Sequence, residues 1–346
     1  MSLVKAMLQK DDNLYSTKDF SEKGFVFSPF DINKDSILIP QSSSECFDVE
    51  FSNQNTVETS QIESFEIDKK QKALHVKLVE SGIEAIKNGD VQKVVLSRVE
   101  EYIHDTIDVF EVFQQLLNSY PLALAYLWYH PKVGLWLGAT PETLLKIEGR
   151  NFSIMALAGT QDYQGTLDVI WNEKELKEQQ FVTDFILENI TSTIENIKVS
   201  DVQTVKSGNL LHLKTDIKGQ LKSQETDLKP LLHSLHPTPA VCGSPKAKAM
   251  EFIFKNENYD REFYTGFLGE LNFDIDVKPR TGSRNVENRA YTLKRKSTQL
   301  YVNLRCMQIK ENKALIYVGG GITSDSNAEL EWEETVSKSM VVKKVL

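Results

Sequence analysis

The segment Gly319-Gly320-Gly321-Ile322-Thr323-Ser324-Asp325-Ser326-Asn327-Ala328-Glu329-Leu330-Glu331-Trp332-Glu333-Glu334-Thr335-Val336-Ser337-Lys338 decides how the rest of the chain is read. The apolar run before it, Leu315 to Val318, reads as a strand. Three glycines then make a turn that feeds a helix, expected to begin near Ser326 or Asn327. On that start Glu331 and Glu334 share a face, and Lys338 lies one turn above Glu334 on the same side. Acid at a helix start by itself only answers the positive end of the dipole. Three glycines aimed at the same spot add a backbone that an anionic group can approach closely. The pattern points to a site for a divalent cation and a small carboxylate ligand.

Upstream the pattern is mixed. Short strand-like runs occur at Gly24–Phe27 and Ser36–Ile39, and Lys70–Asn88 has helical periodicity. Lys93–Arg98 is a short β-branched strand, and Asp108–Ser119 is an amphipathic helix that ends before Pro121. Leu122–Tyr129 and Val133–Leu137 form a hairpin across His130-Pro131-Lys132, with Thr143–Glu148 and Ser153–Ala158 as further strands. Lys174–Ile197 reads as one long helix, Leu210–Leu221 as a strand and Lys246–Phe254 as a helix. Leu300–Ile309 and Leu315–Val318 read as a second hairpin, and Lys278–Lys296 as an exposed loop. Meandering strands with interspersed helices, without βαβ alternation, define an α+β protein of large antiparallel sheets flanked by helices.

Composition narrows the function. The 346 residues are 40% hydrophobic and 26% charged, as in a soluble globular protein. No apolar run reaches the roughly 18 residues a membrane helix needs, and the charged start does not resemble a secretory signal. A formal net charge of -9 argues against a nucleic-acid partner, which needs a cationic footprint. Cys46, Cys242 and Cys306 form neither a disulfide framework nor a metal spacing, which fits a reducing cytoplasm. No coiled-coil heptads suggest self-association, so a monomer is expected.

Five segments carry unusual residue choices. Lys93 stands in an apolar strand. It is either a solvated edge lysine or a buried one whose lowered pKa suits a base. Glu142 follows the rigid Gly138-Ala139-Thr140-Pro141 turn. It is either an exposed carboxylate or an acid held protonated. Glu175 and Glu178 share a helical face, where such side chains are ordinarily solvated and Lys174 would pair with Glu178. Leu235–Pro245 is a proline-stiffened loop fit to wall a ligand, and His236 lacks a second ligand at zinc spacing. Arg305, inside Val302-Asn303-Leu304-Arg305, needs a partner: a protein carboxylate or a ligand carboxylate.

Jointly these blocks resemble the chorismate-utilising enzymes: isochorismate synthases, salicylate synthases and the large components of anthranilate and aminodeoxychorismate synthases. Lys-Val-Val-Leu-Ser-Arg, His-Pro-Thr-Pro-Ala-Val-Cys-Gly and Gly-Gly-Gly-Ile…Glu-Trp-Glu-Glu-Thr-Val-Ser-Lys carry the resemblance. It implies one chorismate-binding domain over residues 1–346, with the signature blocks in 90–346 and a loosely matching part in 1–70. It further implies that Lys93 activates water for attack at C2 of chorismate and that Glu142 protonates the departing C4 hydroxyl. Glu178 and Glu331 would hold Mg²⁺, with Glu175 and Glu334 in supporting roles. Arg305 would pair with a substrate carboxylate. Gly320, Gly321 and Lys338 would close on the carboxylates, and Ala158 and Gly159 would line the ring.

Within the family, the position of Lys93 is typically glutamine in the anthranilate enzymes, so lysine points to water as nucleophile. The aminodeoxychorismate enzymes carry a lysine nucleophile where this chain has Ala158. The resemblance therefore implies an isochorismate synthase, with no glutaminase subunit. The alternative is a salicylate synthase, which goes on to eliminate pyruvate and whose usual residue Thr160 resembles. Ala156 and Gln179 depart from the proline and histidine common in the family.

Overall fold

The computed structural model describes residues 2–51, 68–103, 107–207, 210–223, 227–277 and 293–346. The chain opens with β1 (Ser2–Gln9), β2 (Tyr15–Thr17), β3 (Gly24–Ser28), β4 (Ser36–Pro40) and β5 (Ser44–Phe51). Helix α1 (Lys69–Lys87) leads into β6 (Lys93–Ile103), and α2 (Val109–Ser119) into the hairpin of β7 (Leu124–His130) and β8 (Gly134–Thr140). The side chains of Asp68 and Asp108 accept backbone N–H bonds at the starts of α1 and α2, each such cap being worth about 1 kcal/mol. Then follow β9 (Thr143–Glu148), β10 (Asn151–Asp162), α3 (Glu173–Ile190), β11 (Ile194–Val199), β12 (Gln203–Ser207) and β13 (Leu210–Leu221). Next come α4 (Leu228–Leu235), the two-residue β14 (Gly243–Ser244), α5 (Lys246–Asn256) and β15 (Phe267–Val277). The chain closes with β16 (Leu293–Val302), β17 (Cys306–Lys310), β18 (Lys313–Ile322) and α6 (Ala328–Lys343).

Among the described residues every strand pair is antiparallel. A six-stranded sheet runs β14-β6-β18-β17-β8-β7. A ten-stranded sheet runs β11-β13-β10-β9-β16-β15-β3-β4-β2, with β12 beside β13. Helices α3 and α4 bury Val182, Ile186, Ile190, Leu231, Leu232 and Leu235 against the ten-stranded sheet. Helices α1 and α5 cover β6 through Val79, Ala85, Ala249 and Ile253. The aromatic cluster of Phe27, Trp128, Trp136, Phe263, Tyr264 and Tyr317 joins the two sheets. This is the α+β architecture expected from the strand pattern. No helix among the described residues is long and apolar enough to cross a membrane.

Two short connections pass directly from a strand of one sheet to a strand of the other, and these two passages lie side by side. One is Pro141-Glu142, between β8 and β9; the other is Asn303–Arg305, between β16 and β17. Val302 donates its N–H to the Glu142 carbonyl at 3.0 Å, and Ala139 donates to the Arg305 carbonyl at 3.2 Å. Thr140 Oγ1 donates to the Val302 carbonyl at 2.6 Å.

Several sequence expectations are corrected here. Leu300–Ile309 is two strands in two sheets, and Arg305 sits in the break with φ 49° rather than inside a strand. The helix expected over Lys174–Ile197 stops at Ile190, after which Ile194–Val199 is a strand. Gly319–Gly321 belong to β18 and make no turn. Most of the loop expected over Lys278–Lys296 lies outside the described residues, while 293–296 are the start of β16.

Candidate active site

The six-stranded sheet supplies the first wall. Along β6 the side chains alternate, so Lys93, Val95 and Ser97 share one face while Val94 and Leu96 enter the core beneath α1 and α5. Lys93 is 5% exposed and therefore not a solvated edge lysine. Its Nζ donates to Glu178 Oε1 on α3 at 2.7 Å.

Strand β18 runs beside β6, and its glycines answer a need for space rather than for left-handed backbone. A Cβ on Gly321 would stand 2.8 Å from Glu178 Oε1 and 3.0 Å from Lys93 Cε. One on Gly320 would stand 3.3 Å from Glu331 Oε2. The register adds a second consequence. Ser97 and Val95, opposite Gly319 and Gly321, direct their own N–H groups to Glu257 and Cys242 on the far edge of β6. In an antiparallel pair the opposed residues then also turn away, so the Gly319 and Gly321 amides face the pocket. Pairing with β17 ends at Met307–Ile316, which leaves that edge open. Lys338 Nζ reaches it, donating to the Gly319 carbonyl at 3.1 Å and pairing with Glu334 at 2.6 Å.

The second wall comes from the two passages between the sheets. Glu142 is 5% exposed, and burial pushes its carboxyl up to about 8, against the opposing pull of Lys93 and Arg305. Arg305 forms no ion pair with a protein carboxylate among the described residues. Its Nη1 donates to the Ser207 hydroxyl, and its Nη2 lies 2.7 Å from His212 Nε2. Burial holds the His212 imidazole neutral, with its pKa lowered to about 3. His212 Nδ1 is 3.0 Å from the Gly159 carbonyl, which can only accept. Nδ1 therefore carries the proton, and Nε2 accepts from Arg305. An arginine held by neutral acceptors keeps its charge for a ligand. Burial lowers the Arg305 guanidinium to about 10, which still leaves it a cation at neutral pH.

The third wall is acidic. Glu175 and Glu178 of α3 face Glu331 and Glu334 of α6, whose start is capped by the Asn327 side chain. Lys174 does not pair with Glu178; it crosses to Glu331 Oε1 at 3.0 Å. Glu334 titrates below its ordinary range, because Lys338, Lys174 and Lys93 outweigh the effect of burial. Glu175 Oε2 and Glu331 Oε2 are buried with no hydrogen-bond partner. Orphaned carboxylate oxygens are costly, and an all-oxygen set suits a hard cation such as Mg²⁺. No three His, Cys, Asp or Glu side chains among the described residues converge as a complete chelate. An ion placed between Glu178 and Glu331, with Glu175 and Glu334 beside them, would have to take further ligands from water or a bound molecule, as Mg²⁺ ordinarily does.

One pocket gathers Glu142, Ala158, Gly159, Glu175, Glu178, Arg305, Gly320, Gly321, Glu334 and Lys338, with Lys93 and Glu331 touching its lining. Ala240 and Val241 of the proline-stiffened loop close one side. His236 is buried in that loop against Phe267. Sequence reasoning missed His212, Lys174 and Ser207. His212 was findable, because a histidine in the apolar run Leu210-Leu211-His212-Leu213 raises the same question as Arg305. Lys174 and Ser207 carry no such signal. The family departures are filled structurally: Gln179 donates to Thr215 Oγ1 at 2.6 Å, and Ala156 is sealed in the core.

Fold and pocket together define a protein with a charge-lined pocket between two antiparallel sheets. Residues 34–277 and 289–344 match the family described as chorismate binding enzyme. The chain belongs to that family. It is 30% identical over 257 residues to isochorismate synthase EntC of Escherichia coli (strain K12), covering 71% of this chain and 60% of that protein. It is 26% identical over 284 residues to anthranilate synthase component 1 of Thermococcus kodakarensis, covering 78% and 59%. The chain thus spans about 60% of the length of these relatives. A Bacillus anthracis crystal structure described as a 2,3-dihydroxybenzoate-specific isochorismate synthase, DhbC, shares the fold, with a TM-score of 0.77 and 24% identity. That likeness covers 99% of this chain and 93% of the other.

Proposed function

We propose that this protein is a Mg²⁺-dependent isochorismate synthase. The observation that carries the reading is that buried Lys93 and Glu142 meet at one pocket, Glu142 in its lining and Lys93 bonded to Glu178 of that lining, with alanine rather than lysine at position 158. Chorismate gains a hydroxyl at C2 from water and loses its C4 hydroxyl as water. Lys93, in its uncharged amine form, takes the proton of the attacking water. Glu142, with its carboxyl raised to about 8, carries at neutral pH the proton that the departing hydroxyl needs. Arg305, Lys338 and the open glycine amides receive the two carboxylates and fix the ring between base and acid. Mg²⁺, when bound, supplies positive charge to a substrate carboxylate and engages acidic side chains that otherwise pair with lysines. The open position beside Ala158 holds no amine for capture of the ring, and the reaction calls for no ammonia-supplying subunit.

The test is product analysis. Purified protein with chorismate and Mg²⁺ is expected to yield isochorismate, with the reverse reaction measurable from isochorismate. Pyruvate released in step with salicylate as the main product would replace this reading by a salicylate synthase. Unchanged chorismate would remove it.

A further inference from the structure

We infer that Glu257 and Arg261, neither of which lines the pocket, are positioning residues that hold the Lys93 strand at its working depth. The functional half of this inference rests on the isochorismate synthase reading. Strand β6 needs a partner along its outer edge. The two-residue β14 provides one only opposite Lys93 and Val94, and Cys242 extends it by accepting from the Val95 N–H at 2.8 Å. Beyond that point no strand continues the edge among the described residues.

The ion pair takes the place of that strand. Arg261 Nη2 donates to the Val95 carbonyl at 2.7 Å, and Glu257 Oε1 accepts from the Ser97 N–H at 2.8 Å. These are the next two backbone groups that an antiparallel neighbour would serve. The two side chains are locked to each other, Nε to Oε2 at 2.8 Å and Nη2 to Oε1 at 2.6 Å. Both are almost wholly buried, and the guanidinium lies 4.5 Å from the Phe30 ring centre.

The same guanidinium reaches two other segments of the pocket lining. Nη1 donates to the Val241 carbonyl at 3.1 Å and lies 3.3 Å from Thr265 Oγ1. Val95, Val241 and Thr265 all line the pocket. One planar, five-donor group therefore fixes the relative placement of three segments of the pocket lining, with Lys93 two residues from one of its contacts. Lysine cannot replace it, because a single ammonium cannot present the fork.

Arg261→Lys tests this through amide exchange and kinetics. Loss of the fork is expected to speed exchange of the Ser97 amide about tenfold or more. It is expected to lower kcat for chorismate about 10- to 100-fold, the usual cost of misplacing a reacting group by about an ångström. KM should stay within about threefold, since Arg305 and Lys338 are untouched. Wild-type exchange at Ser97 together with wild-type kcat would overturn the inference. So would a loss of kcat that only follows the fraction of folded protein. If Arg261→Lys does not fold, Glu257→Gln keeps the volume but loses the carboxylate that locks Arg261, and it carries the kcat and KM readouts; unchanged kcat in it overturns the inference. Wild-type protein that leaves chorismate untouched sinks the isochorismate synthase reading, whereas Ser97 exchange still judges the strand-holding role.

Discussion

At Glu142 the surroundings decide the chemistry. The carboxyl has Pro141 before it, lies buried in the passage between the sheets, and receives too little compensation from Lys93 and Arg305 to ionise in its ordinary range. Its protonated form exists below about 8 and is lost as the pH rises through that value. If Glu142 is the acid, kcat/KM should therefore fall on the alkaline side of about 8, with the neutral carboxyl retained on the acid side of that value. Glu142→Gln should remove that alkaline limb and lower kcat by about 10²- to 10⁴-fold. A pH–rate profile of both proteins checks this, and an unchanged limb in the variant assigns the titration elsewhere. Lys93→Ala should lose a similar factor while still binding chorismate, measured by calorimetry, because Arg305 and Lys338 remain. Near-normal turnover in that variant would end the base assignment.

At the scale of elements, the spacing of charges and glycines in the sequence held more information than the boundaries of strands. The final helix was legible because Asn327 is a strong cap and its acids fall in the first turns, and its side chain does accept from Glu329 and Leu330. The break at Asn303–Arg305 was not legible. An apolar run cannot reveal that a chain changes sheets, since both sheets bury it equally. The early end of α3 was hidden for a related reason: Ile190, Ile194 and Ile197 suit a helical face and a strand alike. The triple glycine was legible as special, but only coordinates reveal that it is strand rather than turn and that the missing Cβ atoms also make room for Glu178, Lys93 and Glu331. The need for room has a consequence. Gly321→Ala puts a methyl group 2.8 Å from Glu178 Oε1 and must displace the Lys93–Glu178 pair, so activity should fall at least about tenfold. Gly320→Ala meets its nearest atom at 3.3 Å and should cost less. Comparing kcat in the two variants against wild type checks the ranking, and equal losses would defeat the argument.

Across the whole molecule, the pocket is assembled from parts remote in sequence: β6, the two passages between the sheets, α3, β13, β18 and α6. A ligand that needs all of them binds the folded state alone, so it should stabilise that state by mass action. At about a hundred times its dissociation constant the expected gain is roughly 2.7 kcal/mol. Chorismate with Mg²⁺ should raise Tm by several degrees in a thermal melt, and more than either alone if the two share the pocket. Glu331→Ala removes one of the two carboxylates that present an orphaned, buried oxygen, and leaves Lys174 without its partner. In that variant the Mg²⁺-dependent part of the shift should vanish. The chorismate-dependent part should persist in weakened form through Arg305 and Lys338. A variant that still responds to Mg²⁺ as wild type does would place the ion away from α6, and the acidic wall would then need another explanation for its unpaired oxygens.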